Sequence, residues 1–274
     1  MALVQLYYFV TWIKISLITH FVQFICLSVH DNYIDLLKQY LLTGEVQYLK
    51  MYRDMFTGVK QHLLSYSQPS GMAYLAERRG KRRPKFDHLV CFAPGMFALG
   101  SRLHELSASE AEEHLTIAKQ LMSTCIKLYK DQASGLGPEI ASFQNATHDY
   151  HVHHPTYLLR PETVESLFVL YRTTGDRQYV HDAWDIFQAL ERSCKTSAGY
   201  SGLKDVTSQK PEHDNAMESF FLSETLKYLY LIFSHESVLS LDEFVLNTEA
   251  HPLRPFPDTF KPINIKRLTK MPVN

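Results

Sequence analysis

Tyr40-Leu41-Leu42-Thr43-Gly44-Glu45-Val46-Gln47-Tyr48-Leu49 reappears later in the chain as Tyr171-Arg172-Thr173-Thr174-Gly175-Asp176-Arg177-Gln178-Tyr179-Val180. At the same offset Asp54-Met55-Phe56 becomes Asp185-Ile186-Phe187. In both copies a Thr-Gly pair closes one apolar-periodic segment and a second opens just beyond it, the pattern of helix, glycine stop, helix. A helix–turn–helix unit cannot bury its apolar face alone, so copies stack into solenoids or close into rings of paired helices. Ring closure would gather loops and helix ends around a central cavity.

Outward from the repeat, helical periodicity predicts helices over 33–43, 46–65, 86–101, 109–129, 161–175, 178–193 and 215–234. Pro94-Gly95 should kink or split the third of these, and Ser109-x-x-Glu112 reads as a capping box opening the fourth. A polar loop is expected from Gly135 to His154. No strand ladder is expected beyond short hairpins in loops, so the fold class is all-α.

The chain has 274 residues and is 45% hydrophobic, enough to bury one large core, and its net charge of −1 implies no nucleic-acid partner. The run Arg78-Arg79-Gly80-Lys81-Arg82-Arg83-Pro84-Lys85 reads as a solvated loop broken by Gly80 and Pro84. Cys26, Cys91, Cys125 and Cys194 have no metal-ligand spacing, and His148, His151, His153 and His154 read as solvated loop histidines without carboxylate or cysteine partners. Asn145-Ala146-Thr147 is a glycosylation sequon and favours a secretory route. From Leu6 to Val29 the chain is apolar and aromatic, with interruptions such as Lys14 and His20 and no small-residue cleavage site. It is long enough for a membrane anchor; a buried segment and a misplaced gene start are the other readings.

Leu158-Leu159-Arg160-Pro161-Glu162-Thr163-Val164-Glu165-Ser166-Leu167-Phe168 places Pro161 where a first helical residue belongs and sets Glu162 and Glu165 on one face of the opening turns. Acidic residues are common at helix starts, but free N–H groups there also favour an ionised carboxylate able to act as a base. Other acidic residues lie among apolar ones: Asp87 before His88, Glu139 after Gly137-Pro138, Glu218 and Glu224 around Phe220-Phe221-Leu222, and Glu249 in Asn247-Thr248-Glu249-Ala250-His251-Pro252. Carboxylates set among aromatics are what sugar chemistry needs, since rings stack on sugar faces and carboxylates hold hydroxyls and flank the scissile bond.

Four of these stretches resemble the motifs of glycoside hydrolase family 47, the class I α-1,2-mannosidases, and the endoplasmic reticulum type in particular. They are Asp87-His88-Leu89-Val90-Cys91-Phe92-x-Pro94-Gly95, Leu158 to Leu167, Met217-Glu218-Ser219-Phe220-Phe221-Leu222-x-Glu224-Thr225-Leu226-Lys227-Tyr228, and Phe244-x-x-Asn247-Thr248-Glu249-Ala250-His251-Pro252. The resemblance implies a partial (α/α) barrel over 31–274 and a calcium-dependent, inverting enzyme that trims high-mannose N-glycans. It implies Glu162 as general base, Thr248 as the Ca2+ ligand through its hydroxyl and carbonyl, and Arg160, Glu165, His88, Glu224 and Glu249 around the sugar. Phe220 or Phe221 would give the stacking face, Glu139 would be a carboxylate at the pocket, and Cys91 and Cys125 a disulfide suited to the lumen of the endoplasmic reticulum or Golgi. A monomer is the expected form, membrane-associated where the apolar 6–29 stretch serves as an anchor.

The chain also departs from the family. Residues 1–30 match nothing upstream of the Tyr33-Ile34-Asp35-Leu36-Leu37-Lys38-Gln39 motif, where the family carries a proton-donating glutamate. His30 occupies the position of a family aspartate, and Asp31, one residue out of register, is the candidate replacement. A partial domain, inactive alone, is therefore expected; a non-catalytic mannose-binding or glycoprotein quality-control relative is the alternative.

Overall fold

The computed structural model describes residues 35–143 and 147–256. Asp31, the apolar stretch before it and the sequon residue Asn145 lie outside the described residues. The repeat is two helical hairpins, α1 (Asp35–Thr43) with α2 (Val46–His62), and α5 (Glu162–Thr174) with α6 (Gln178–Ser193). Their turns share hydrogen bonds as well as letters. Gly44 and Gly175 adopt left-handed backbone at φ 71° and 74°, and each donates its N–H to a tyrosine carbonyl, Tyr40 or Tyr171, at 2.8 Å. Thr43 and Thr174 each donate a hydroxyl four residues back, at 2.7 and 2.8 Å, and accept the N–H of Glu45 or Asp176 at 3.2 Å. Glycine holds that conformation without the Cβ penalty.

Between the hairpins lie α3 (Ala93–Gly100) and α4 (Ala108–Lys130), and after them α7 (Leu226–Phe233). α3 packs against both α4 and α5, and α5 also packs against α6 and α7. Phe97, Leu121, Met122, Leu167, Phe168 and Tyr228 are fully buried in this central layer. At the α3–α5 contact a Cβ on Gly95 would lie 3.0 Å from the Ser166 Cα, so a glycine is what lets the two helices meet. Ser166 Oγ there accepts the Gly95 N–H at 2.8 Å and donates to the Cys91 carbonyl at 2.5 Å. The described residues form a mainly helical, partial (α/α) barrel.

Several expected boundaries move. α2 stops at His62, because Leu64–Tyr66 (β1) leaves to pair with Ala73–Leu75 (β2). The basic run is a hairpin, Glu77–Arg79 (β3) against Lys81–Arg83 (β4), turning at Gly80 with φ 70°. The third predicted helix is α-helical only in α3: Phe86 belongs to Lys85–Asp87 (β5), Asp87 caps the Leu89 N–H at 3.3 Å, and His88–Phe92 is a 3-10 turn. Pro94 falls in the opening turn of α3, where its missing N–H costs nothing. The capping box of α4 is Ser107 with Glu110, two residues earlier than predicted; Arg53 of α2 reaches Glu110 at 3.0 Å and adds to that register. The last long helix starts near Ser219 rather than Asn215, whose φ is 63° and whose N–H is held by Ser201 Oγ at 3.0 Å. It opens with a π turn, Phe221–Thr225, before α7.

The expected polar loop after Gly135 contributes two strands. Ile140–Ser142 (β6) is the centre of a three-stranded antiparallel sheet between β5 and His151–His154 (β7). Its register puts Asp87 opposite Ile140, and the His88 N–H donates to the Glu139 carbonyl at 2.9 Å. Val245–Leu246 (β8) and Pro252–Leu253 (β9) form a final two-stranded pair around Asn247–His251.

Candidate active site

The site is built on the first turn of α5. Leu159, fully buried, takes left-handed backbone at φ 62°, an uncommon conformation for a branched residue. Its carbonyl accepts the Thr225 hydroxyl at 2.7 Å, which ties this corner to the π turn before α7. The corner delivers Arg160 to Glu139. Arg160 Nε lies 2.8 and 2.9 Å from the two Glu139 carboxylate oxygens, and its terminal nitrogen lies 2.6 Å from Oε1. Burial alone would lower Arg160, but hydrogen bonding and charge from Glu139, with Glu162 and Asp87 behind it, hold it above its ordinary value. Contacts of this kind hold the guanidinium and the carboxylate in one mutual orientation.

Glu162, the first residue of α5, is buried beside His88, with Oε2 3.2 Å from His88 Nδ1. The second ring nitrogen, Nε2, lies 2.7 Å from the Tyr129 hydroxyl and 3.4 Å from Thr163 Oγ1. His88 therefore has both nitrogens within hydrogen-bond reach of protein groups, next to the candidate base. Burial pushes the Asp87 carboxyl up, and the nearby Glu139 charge adds to it, against the Leu89 N–H and Lys85.

One turn further along α5, Glu165 Oε1 accepts from Lys38 Nζ at 3.3 Å and from the Tyr228 hydroxyl at 3.1 Å. Lys38 is also 3.5 Å from the Asn247 carbonyl, and Lys227 Nζ donates to the Ala250 carbonyl at 3.1 Å. These two lysines hold the Asn247–His251 turn against α5 and α7. Inside the turn, Asn247 Oδ1 accepts the N–H groups of Glu249 and His251 at 3.1 and 2.8 Å, and Ala250 sits at φ 58°. Thr248 is half-buried in this turn, while Glu249 is exposed. Glu224 is buried on the π turn, and burial together with the charges of Glu165, Glu224 and Glu162 drives the Tyr228 phenol far above its ordinary value. Of these carboxylates, Glu165 accepts the Tyr228 hydroxyl directly.

The two candidate stacking rings separate. Phe221 is wholly buried against Tyr200, with centroids 4.9 Å apart, and is core; Phe220 is half-exposed. Cys91 and Cys125 form a disulfide with Cα atoms 6.0 Å apart. The His-rich stretch is strand β7 with outward-facing His151, His153 and His154, and among the described residues no three His, Cys, Asp or Glu side chains converge to hold a metal. Sequence reasoning missed Lys38, Tyr129 and Tyr228. A lysine in the apolar run Leu36-Leu37-Lys38 was a usable signal for a buried cation; nothing local marked the two tyrosines.

Arg160, Glu139, Glu162, His88, Glu165 and Glu224, named from separate motifs, lie on elements that meet at α5, and the Thr248 turn is tied to the same helix. The profile of glycosyl hydrolase family 47 matches residues 28–255. The chain is 46% identical over 251 residues to the human endoplasmic reticulum mannosyl-oligosaccharide 1,2-alpha-mannosidase, covering 87% of this chain and 35% of that protein. It is 45% identical over 224 residues to mannosyl-oligosaccharide alpha-1,2-mannosidase IA of Spodoptera frugiperda, covering 79% of this chain and 33% of the relative. The solved alpha-1,2-mannosidase from Trichoderma reesei superposes with a TM-score of 0.75 at 30% identity, over 82% of this chain and 51% of that one. The chain thus spans about a third of the curated relatives' length. No described helix is long and apolar enough to cross a membrane. With the repeat, the fold, the assembled motifs and these matches in agreement, the chain belongs to glycosyl hydrolase family 47.

Proposed function

We propose that this chain carries the water-activating side of a calcium-dependent, inverting α-1,2-mannosidase acting on high-mannose N-glycans in the secretory lumen. The observation that carries the reading is Glu162, a buried carboxylate on the first turn of α5, beside His88 and close enough to Arg160 to raise its pKa. In this role Glu162 removes a proton from water as it attacks the anomeric carbon from the face opposite the leaving sugar, which inverts the centre. Phe220 offers a ring face to the sugar. The Cys91–Cys125 disulfide suits an oxidising lumen.

The donor set at the Asn247–His251 turn fits calcium. Thr248 offers a hydroxyl and a carbonyl, hard oxygens of the kind calcium takes. Bound there, the ion would orient sugar hydroxyls and water. Lys38 and Lys227 fix the backbone of the turn through the Asn247 and Ala250 carbonyls.

Both carboxylate oxygens of Glu139 are engaged by Arg160 Nε. That pairing favours a second reading, a calcium-dependent mannose binder that does not cut. The test is proton NMR of the chain with α-mannosyl fluoride, whose leaving group needs no proton donor, with and without calcium, for the native protein and Glu162→Gln. Release of β-mannose first, lost on chelation and in the variant, is the expected result. α-Mannose first, or cleavage indifferent to chelation, overturns the proposal; calcium-dependent binding without cleavage replaces it with the second reading.

A further inference from the structure

We propose that Tyr129 is a positioning residue for the base: its phenol holds His88 as the neutral tautomer that donates its Nδ1–H to the Glu162 carboxylate. The argument starts from what each atom can do. An ionised carboxylate only accepts, so Glu162 Oε2, 3.2 Å from Nδ1, requires a hydrogen on that nitrogen. A neutral ring then presents a lone pair at Nε2, and the Tyr129 hydroxyl, 2.7 Å away, is the group placed to donate to it. Were the ring proton on Nε2 instead, the Nδ1 lone pair would face the carboxylate oxygen, two acceptors in repulsive contact inside the protein.

Tyr129 is built to keep its proton and its place. It is 2% exposed on α4, and burial, with the charges of Glu162 and Glu139 adding to it, pushes the phenol above its ordinary range against hydrogen bonding with Thr163 and Tyr157. Its ring makes an edge contact with Tyr157 at 6.1 Å between centroids. A Cβ on Gly137 would lie 2.4 Å from its ring carbons, so the backbone just before Glu139 presses on the ring with no side chain between. The segment that delivers Glu139 to Arg160 therefore also confines Tyr129.

The consequence for the reaction rests on the reading of Glu162 as base. A neutral N–H donor orients the carboxylate, whereas an imidazolium would hold it as a tight ion pair and weaken it as a proton acceptor. Tyr129, by donating to Nε2, occupies the position a second ring proton would take.

The tautomer can be read without turnover, so this inference and the mannosidase reading fail separately. The full chain is labelled with 15N-histidine, and His88 is assigned by its loss in His88→Gln. In the native protein at neutral pH, Nδ1 should resonate as a protonated, pyrrole-type nitrogen and Nε2 as a pyridine-type nitrogen moved upfield by an accepted hydrogen bond. Tyr129→Phe should move Nε2 downfield or bring in the other tautomer. A proton on Nε2 or a doubly protonated ring in the native spectrum overturns the proposal, as do unchanged ring resonances in Tyr129→Phe. If that variant does not fold, the native spectrum decides.

Discussion

Removing the Cys91–Cys125 disulfide tests how firmly the 3-10 turn that carries His88 is tied to α4. Both residues are 1% exposed, and the bridge spans a sequence separation of 34. For a loop of that length the chain-entropy relation predicts about 4 kcal/mol of stability at 25 °C. In Cys91→Ala/Cys125→Ala each lost sulfur also leaves a small void in a packed region, of the order of 1 kcal/mol each. The sum is roughly 5–6 kcal/mol, which at about 2–4 °C per kcal/mol for a domain of this size corresponds to a Tm lower by roughly 10–20 °C. Far-UV circular dichroism melts of the native protein, the native protein with reductant, and the double variant separate the contributions. Reductant should give most of the drop, because it opens the loop and leaves the sulfurs in place. A double variant melting within about 2 °C of the native protein would refute the reasoning, since the bridge would then constrain nothing that the folded chain does not already hold.

Two further outcomes are expected. His114 is buried, stacked on Phe56 at 3.4 Å and hydrogen-bonded through Nδ1 to Tyr52 at 2.9 Å, and burial pulls its imidazole down to about 4, with Glu113 and Glu110 opposing. Between its ordinary value near 6.5 and about 4 the unfolded chain takes up a proton that the folded chain refuses. Stability should therefore fall by roughly 2–3 kcal/mol as pH drops through that window. Urea titrations of the native protein and His114→Gln across it should show a shallower slope for the variant; parallel slopes would contradict the assignment. Phe221→Ala should cost roughly 3–5 kcal/mol because it empties a fully buried site. Phe220→Ala should leave stability within about 1 kcal/mol and instead weaken calcium-dependent binding of mannobiose by calorimetry; equal stability losses would place both rings in the core.

The helices were legible wherever the signal was local. α6 spans the predicted 178–193, and both Thr-Gly turns carry out the capping their letters imply, because a left-handed glycine and a β-hydroxyl act within four residues of their partners. Misreadings fell where two local choices competed. Ser107-x-x-Glu110 and Ser109-x-x-Glu112 offer overlapping boxes, and contact with Arg53, fifty-seven residues from Glu110, favours the first. Leu64 continues the apolar pattern of α2 but leaves it because β2 is there to pair with. Phe220 and Phe221 are adjacent letters, and only packing against Tyr200 separates core from surface.

From sequence alone came the helical hairpins and the opening turn of α5 with Glu162 and Glu165 on one face, which are written in short-range spacing, and the family, whose motifs match as strings and whose resemblance implied the Cys91–Cys125 pair. Tertiary structure decided which groups act on those carboxylates. Lys38 reaches Glu165 across 127 residues, Tyr129 reaches His88 across 41, and β5, β6 and β7 join only after the chain has folded back to set Glu139 beside His88. Such partners leave no periodicity to read, because a hydrogen bond between distant segments constrains one position in each and nothing in between.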